Sequence, residues 1–281
     1  MQTLLKVSVA ALLFAMGLHA SPGLLAYLWR RPALFARSLL AMYVAVPLLA
    51  FALAVALDLP RGTEVAILVL AICAGAPLLP RKLLKFGGDP AYVLSLAVTT
   101  SLLAIVTVPT SVRLLAAWLG IDVEAGAGEV ARAILVSFLV PFGAGMLVRA
   151  RAPGFAARAA DPIMTVAGAA LAIGSLVVLV AAWRLLAGLG ASSFVAFAAF
   201  ALGSLAIGHA LGGPLPQNRT SLAVACTTRH IGLALLIGAN VRGPRTLSLV
   251  AGYLITTTVV CLPYMRWRRE ADSAQPGAST G

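Results

Sequence analysis

The sequence predicts an all-α membrane protein with about nine transmembrane helices, and three observations lead to that fold class. Of its 281 residues, 61% are hydrophobic and 11% are charged, whereas a soluble domain is roughly half apolar and about a quarter charged. The apolar runs are continuous and close to the ~20 residues that a helix needs to cross a bilayer. They lack the short apolar–polar alternation of barrel strands. Turn residues and basic residues separate the runs, as expected for loops between spans.

Nine spans account for the apolar runs, and two of them are interrupted. The third span carries Pro77 and Pro80, and the eighth carries Arg229 and His230 near its middle. Residues 1–269 form a single predicted transmembrane domain, and the polar tail 270–281 is expected to be disordered and cytoplasmic. The predicted spans are 3–21, 38–57, 63–86, 90–118, 128–149, 162–183, 190–211, 220–240 and 246–265.

The distribution of basic residues predicts the orientation. Alternate loops, beginning with the one that holds Arg30, Arg31 and Arg37, contain thirteen of the 21 Lys and Arg residues, and the opposite loops contain seven. By the positive-inside rule the N-terminus lies outside and the C-terminus is cytoplasmic, in the inner (plasma) membrane. The formal net charge of +12 would suggest nucleic acid in a soluble protein. Between spans it points to the lipid bilayer as partner instead.

Nothing in the sequence suggests an enzyme. There is no Walker loop, HExxH, GxSxG or glycine-rich dinucleotide turn. The three cysteines (Cys73, Cys226 and Cys261) lie in apolar runs without metal-ligand spacing. We therefore expect neither catalysis nor a bound cofactor or metal.

Two stretches of the sequence are similar and indicate an internal repeat. Each follows an interrupted span and has a Leu-Ser-Leu triplet, then adjacent threonines, then a proline; they begin at Leu94 and Leu247 and end at Pro109 and Pro263. Spans 1–4 (about 3–118) would correspond to spans 6–9 (about 162–265), with 128–149 as the linking span. Because the two repeats would start in opposite directions, they are inverted. Inverted repeats with paired broken helices are typical of secondary transporters that bind substrate at the midplane.

Several segments in this order resemble the bile acid:sodium symporter family. They are Phe14-Ala-Met-Gly-Leu18, Arg31-Pro32, Asp58-Leu-Pro60, Gly88-Asp89, Leu94-Ser-Leu-Ala-Val-Thr-Thr100 and Ile231-Gly-Leu-Ala-Leu235. The resemblance covers nearly the whole chain but lacks the extra first helix of ten-span members. It implies a panel domain, a core with two discontinuous crossing helices, and import of organic anions, often with sodium.

The resemblance also implies sodium-ligand positions, and this sequence departs from most of them. Arg81 and Lys82 stand near the family's Ser and Asn ligands, Ala225 and Arg229 stand at its acidic residue and Gln, and Met42 stands at another Gln. Only Ser95 and Thr99 match ligand positions. Sodium needs several hard oxygen ligands, and fixed cations would repel it. We therefore do not expect the family's usual sodium sites to be used.

Arg229 is the sharpest candidate for an anion-binding residue. An arginine at the centre of a span costs at least ~2.5 kcal/mol and usually faces a cavity or a partner. The alternative is that Arg229 snorkels to the cytoplasmic surface. His230 could titrate near neutral pH and couple protons, or it could be a hydrogen-bonded interior histidine. Arg81 and Lys82 could line the same site, or belong to a cytoplasmic basic cluster with Lys85.

Four hydroxyl residues complete the predicted substrate site. Ser95 and Thr99 lie four residues apart on one helix face, and Thr227 and Thr228 precede Arg229. Each could offer its hydroxyl to a substrate or bond back to the carbonyls of its own helix.

These residues predict a secondary active transporter of a small organic anion that works by alternating access. Two alternatives remain: a sodium-coupled symporter with displaced ligands, and an anion-binding membrane receptor or sensor. The short tail after Arg269 leaves a sensor little room for an output element.

Overall fold

The computed structural model describes residues 2–75, 89–119, 127–181, 183, 186, 188–230, 233, 234, 237 and 246–273. Within these ranges the chain is helical, with short turns and no strand. In chain order the helices are α1 (Gln2–His19), α2 (Pro22–Leu25), α3 (Pro32–Leu39, a π-helical segment Leu40–Ala45, and Val46–Ala56), α4 (Arg61–Ile72), α5 (Pro90–Leu119), α6 (Ala127–Ile134, a π-helical segment Leu135–Leu139, and Val140–Arg151), α7 (Pro153–Ala181), α8 (Ala191–Leu211), α9 (Pro216–Thr227) and α10 (Thr246–Ser273).

Six of these helices contain a segment that is long and apolar enough to cross a membrane. The prediction of an all-helical, multi-pass membrane protein is therefore confirmed, while the count of nine spans and the inverted repeats remain predictions. A shorter apolar helix covers Thr3–His19. The six segments are Pro32–Ala56, Pro90–Trp118, Ala131–Arg151, Pro153–Gly174, Ala191–Leu211 and Ser248–Glu270.

The helices at the two predicted interruptions are short. α4 and α9 each have 12 residues, which at 1.5 Å per residue is about 18 Å, well below the ~30 Å of a bilayer core. α9 ends at Thr227, immediately before the predicted interruption at Arg229 and His230. α4 ends at Ile72, earlier than the prolines suggested.

The two π-helical segments have a common cause. Each lies just before a proline near the middle of a long span, Pro47 in α3 and Pro141 in α6. Proline donates no hydrogen bond and its ring crowds the carbonyl four residues earlier. A local widening of the helix relieves that conflict without ending the span.

α1, α6 and α7 pack together as one body, which we call the three-helix group. α1 and α6 cross at two glycines, Gly17 and Gly145. A Cβ atom on Gly17 would lie 2.1 Å from the backbone oxygen of Phe142, and one on Gly145 would lie 2.1 Å from that of Phe14. Only glycine allows the two backbones to approach this closely.

The remaining long helices pack around the two short ones and form the main apolar core. α8 packs along α9 and α10, and also against α3 and α4. Gly208 and Gly212 let the α9 backbone lie directly on α8, since a Cβ atom at either position would come within 2.4 Å of an α9 Cα atom. Met42, Tyr92, Phe200 and Tyr253 are buried in this core.

α5 packs against both the three-helix group and the main apolar core. On one side Leu94 and Ala97 belong to a buried cluster with Leu13 of α1 and Phe138 of α6. On the other side Tyr92 and Leu96 belong to the main core.

Candidate functional site

The non-helical residues that follow α4 and α9, which we call the first and the second break, meet inside the core. After α4 the chain turns through Gly75, whose φ of +87° favours glycine. After α9 it becomes extended at Thr228, with φ −84° and ψ 118°. The backbone N–H of His230 donates to the carbonyl oxygen of Cys73 at 3.0 Å. The segments that follow α4 and α9 are therefore joined directly by a backbone hydrogen bond.

Gly75 also fixes how closely the first break approaches α5. A Cβ atom on Gly75 would lie 2.8 Å from Oγ1 of Thr100. The Thr100 hydroxyl donates to the carbonyl of Leu96 at 2.8 Å within its own helix. Tyr43 of α3 donates its hydroxyl proton to the backbone oxygen of Thr100 at 3.0 Å. Close packing and this hydrogen bond thus hold α3, α5 and the first break together.

His230 caps the helical turn that follows the second break. The N–H of Leu233 donates to its ring Nδ1 at 3.2 Å, and the N–H of Ala234 donates to its carbonyl oxygen at 3.0 Å. Because Nδ1 accepts a hydrogen bond, the proton of the neutral ring lies on Nε2. That Nε2 atom is buried and has no hydrogen-bond partner among the described residues.

Arg229, between the extended residue and the cap, is buried to 1% exposure. None of its guanidinium nitrogens meets hydrogen-bond geometry with an acceptor among the described residues, and it takes part in none of their ion pairs. The Tyr253 hydroxyl interacts with the guanidinium without reaching that geometry. The group stays charged in proteins, and a buried charge without a partner costs several kcal/mol. This burial argues against the snorkelling alternative, because a snorkelling head group would be exposed.

Buried polar groups from other helices surround this charge. The thiols of Cys73 and Cys226 and the ring of Tyr253 are within electrostatic reach of the guanidinium. The Tyr253 hydroxyl donates to the carbonyl of Thr227 through a short hydrogen bond. The hydroxyl oxygens of Thr228 and Thr257 are buried without a hydrogen-bond partner in the described part of the chain.

Sequence reasoning missed Tyr253 and Thr257. They lie four residues apart on α10 and so share one face. The threonine run that contains Thr257 is one of the features that indicate the repeat. Its position directly after an interrupted span was the signal that could have found both residues.

The other predicted hydroxyl residues have different contacts. Ser95 donates to the carbonyl of Leu25 at 2.6 Å and accepts from the N–H of Leu28 at 3.1 Å. Thr99 accepts from the indole N–H of Trp29 at 3.1 Å. Both residues hold the segment after α1 against α5. This is neither of the two roles predicted for them, which were a bond to substrate and a bond within their own helix.

The Thr227 hydroxyl donates to the carbonyl of Ala223 at 2.9 Å. It therefore bonds to its own helix, which was one of the two roles predicted for it. Thr228 is the one of the two threonines whose hydroxyl is left without a partner in the described part of the chain. Pro77, Pro80, Arg81 and Lys82 lie outside the described residues.

Among the described residues, two positions that the resemblance assigns to sodium ligands, Met42 and Ala225, have no side-chain oxygen. Met42 and Ala225 are fully buried in the apolar core. No group of three or more His, Cys, Asp or Glu side chains among the described residues could hold a metal ion.

The apolar helices, two of them short and meeting in the core, define the class of multi-pass helical membrane proteins. The sequence model of the Sodium Bile acid symporter family matches residues 7–189, and the chain belongs to that family. Its members are membrane transporters and not enzymes. The predicted family membership is therefore confirmed. Comparison with individually curated proteins gives no match.

Proposed function

We propose that the protein is a secondary active transporter of a small organic anion, and that Arg229 binds the anionic group. The observation that carries this proposal is the buried guanidinium without a partner among the described residues. An anionic ligand would neutralise the charge and accept two parallel hydrogen bonds from the planar fork. A cationic or neutral substrate would leave the cost of burying Arg229 unrelieved.

The neighbouring polar groups fit the same kind of ligand. Nε2 of His230 and the hydroxyls of Thr228 and Thr257 can all donate hydrogen bonds, and all three lack partners among the described residues. A carboxylate or sulfonate has several lone pairs and could accept from two or three of these donors at once. We therefore assign Arg229 to charge recognition, and His230, Thr228 and Thr257 to orientation of the anion.

Alternating access would arise if the core that carries both breaks moved against the three-helix group. Support comes from the packing, in which the two bodies are bridged by α5. The proposed repeats receive support as well, because proposed counterparts contact each other: α1 packs on α7, α3 on α8, and the first break on the second. Paired elements around a two-fold axis have this relation in inverted-repeat transporters.

We further propose that transport does not use the family's usual sodium sites. Ser95 and Thr99 hold backbone and indole groups through their hydroxyls, and Met42 and Ala225 supply no oxygen ligand. A fixed positive charge at Arg229 would oppose a sodium ion nearby. His230 then remains the candidate for proton coupling.

Ligand-dependent thermal stability of the purified chain tests the proposal. Carboxylates and sulfonates of increasing size, from pyruvate to cholate, are added in sodium chloride or choline chloride at two pH values. Binding to the folded state raises the melting temperature by an amount that depends on concentration and affinity. We expect at least one small anion to raise it equally in both salts.

Two variants make this test specific to the site. Arg229→Gln should abolish the shift, whereas Arg266→Gln, which removes an exposed arginine of α10, should retain it. If no anion distinguishes wild type from Arg229→Gln, Arg229 does not bind the substrate.

Uptake of the identified anion into proteoliposomes separates the alternatives. Substrate-dependent flux without a sodium gradient supports the proposed transporter. Flux that rises with an inward sodium gradient would favour a symporter with displaced ligands. Binding without flux would favour a receptor or sensor.

A further inference from the structure

A cavity lies at one end of the three-helix group, apart from the site around Arg229. It has a volume of about 440 Å³ and lies where α1 and α6 end and α7 begins. This volume is within the usual range for a small-molecule site, roughly 300–1,000 Å³. Leu18, Met146, Ala150, Pro153 and Ala157 give it a predominantly apolar wall.

Two basic side chains, His19 and Arg149, line the cavity, and Arg149 is held in a fixed position. Arg149 lines it, and its Nη1 donates to the carbonyl of Leu18 at 2.9 Å. That bond orients the guanidinium at the ends of α1 and α6. The group has five N–H donors in total, and Arg149 makes no other hydrogen bond within the described ranges. Donors therefore remain for a ligand at the polar end of an apolar cavity.

The charge around the cavity mouth is positive. Arg151 is the last residue of α6 and Arg158 lies near the start of α7, and both side chains are exposed. The one acidic side chain of this part of α7, Asp161, accepts a hydrogen bond from His19 at 3.2 Å and is 81% exposed. Three arginines against one carboxylate leave a net attraction for an anion.

We propose that this cavity binds an anionic phospholipid, with the phosphate on Arg149 and the adjoining acyl region against the apolar wall. Two candidate membrane spans, Ala131–Arg151 and Pro153–Gly174, meet here, which puts the cavity at the level of lipid head groups. Basic pockets between transmembrane helices at the positively charged membrane face are suited to anionic head groups. Charge complementarity selects an anionic lipid, and the apolar wall selects an amphiphile over free phosphate.

Retention of lipid by the purified full-length chain, measured by native mass spectrometry, tests this site. The protein is titrated with phosphatidylglycerol or phosphatidylcholine that carry identical acyl chains, and inorganic phosphate is added in a separate arm. Wild type should retain phosphatidylglycerol in preference to phosphatidylcholine, and inorganic phosphate should not displace it. Displacement by free phosphate at low millimolar concentration would overturn the lipid assignment.

Arg149→Gln should lower the preference for phosphatidylglycerol roughly tenfold or more, because it removes a charge-assisted hydrogen bond to the phosphate. The matched control Arg158→Gln removes an exposed arginine of the same end that does not line the cavity, and should change the preference less than twofold. Equal losses in both variants would overturn the site and indicate diffuse surface attraction.

Ala157→Phe tests the cavity without removing a charge. Filling the space should reduce retention of phosphatidylglycerol several-fold, while Ala152→Phe, at an exposed position between α6 and α7, should not. Unchanged retention in Ala157→Phe would overturn the proposal. This pair decides the question even if Arg149→Gln fails to fold, and because lipid retention needs no transport, failure here leaves the proposed function untouched.

Discussion

At the scale of the residue, the buried guanidinium of Arg229 should lower the stability of the ligand-free fold, and anion binding would explain why it is present. If the ligand-free protein holds this charge without a partner, an apolar side chain of similar length should be tolerated better. Replacement of buried charges by well-packed hydrophobic residues is often neutral or stabilising by about 1–4 kcal/mol. We therefore expect Arg229→Met to raise the melting temperature of the ligand-free chain in detergent while abolishing its response to anions.

The opposite result would be equally informative. A marked fall in the melting temperature of ligand-free Arg229→Met would mean that Arg229 stabilises the fold through a partner, and that its first role is structural. Arg266→Met serves as the control, because its exposed side chain should change the melting temperature little.

His230 combines a structural role with a proposed functional one, and two substitutions separate them. Asparagine can accept the N–H of Leu233 as Nδ1 does now, whereas leucine cannot. Loss of a helix N-cap costs about 1 kcal/mol. We expect His230→Leu to be destabilised by that amount and His230→Asn to keep wild-type stability in denaturation experiments.

The functional readout of the same pair is anion binding. Both variants lack the Nε2 donor, so both should bind the anion more weakly than wild type. If His230→Asn bound the anion with wild-type affinity, His230 would act only as a helix cap and not as an anion ligand. Proton coupling through His230 requires in addition that the pH dependence of uptake disappear in His230→Asn.

At the scale of the element, the crossing of α1 and α6 depends on Gly17. A methyl group there would meet a backbone oxygen at 2.1 Å, which cannot move aside as a side chain can. Overpacking of this kind typically costs about 1–3 kcal/mol. We expect Gly17→Ala to lower the melting temperature of the purified chain.

Gly143, an exposed glycine of α6 two residues before Gly145, is the matched control. A Cβ atom at Gly143 meets nothing within 4 Å, and alanine is favoured over glycine within a helix by roughly 0.5–1 kcal/mol. Gly143→Ala should therefore be neutral or stabilising. If Gly17→Ala behaved like Gly143→Ala, the close crossing of α1 and α6 would be wrong.

The elements were largely predictable from the sequence, and their endings less so. Hydrophobic run length located the long spans, because lipid demands it of any crossing helix. The sequence predicts an interruption around Pro77 and Pro80, which lie outside the described residues, and α4 ends before them at Ile72. Proline was the visible signal, whereas the positive φ of Gly75 depends on packing against Thr100, which the sequence does not reveal.

The candidate site was predictable only in part, for a similar reason. A charged residue within an apolar run is conspicuous, so Arg229 could be found from the sequence. Thr257 is one hydroxyl in a threonine run of α10, and only the fold brings it near the second break. Ser95 and Thr99 matched family positions, but their contacts with the segment after α1 depend on tertiary packing.

At the scale of the whole molecule, the number of spans decides whether inverted repeats are possible. Six helices qualify as spans by length and composition, and the remaining crossings of the predicted nine would come from α1 and from the two interrupted helices. Nine spans put the termini on opposite sides of the membrane, as the basic loops also predict. Six spans would put them on the same side.

Reporter fusions in bacterial cells distinguish these counts. A fluorescent protein that folds only in the cytoplasm should be bright when fused after Gly281, and alkaline phosphatase, active only outside, should be active when fused before Met1. Phosphatase inserted at Ala152, between α6 and α7, should be inactive, since Arg149, Arg151 and Arg158 predict a cytoplasmic turn there. Inserted at Gly188, between α7 and α8, it should be active. Termini on the same side would contradict the odd span count, and with it the inverted relation between residues 3–118 and 162–265 on which the proposed mechanism depends.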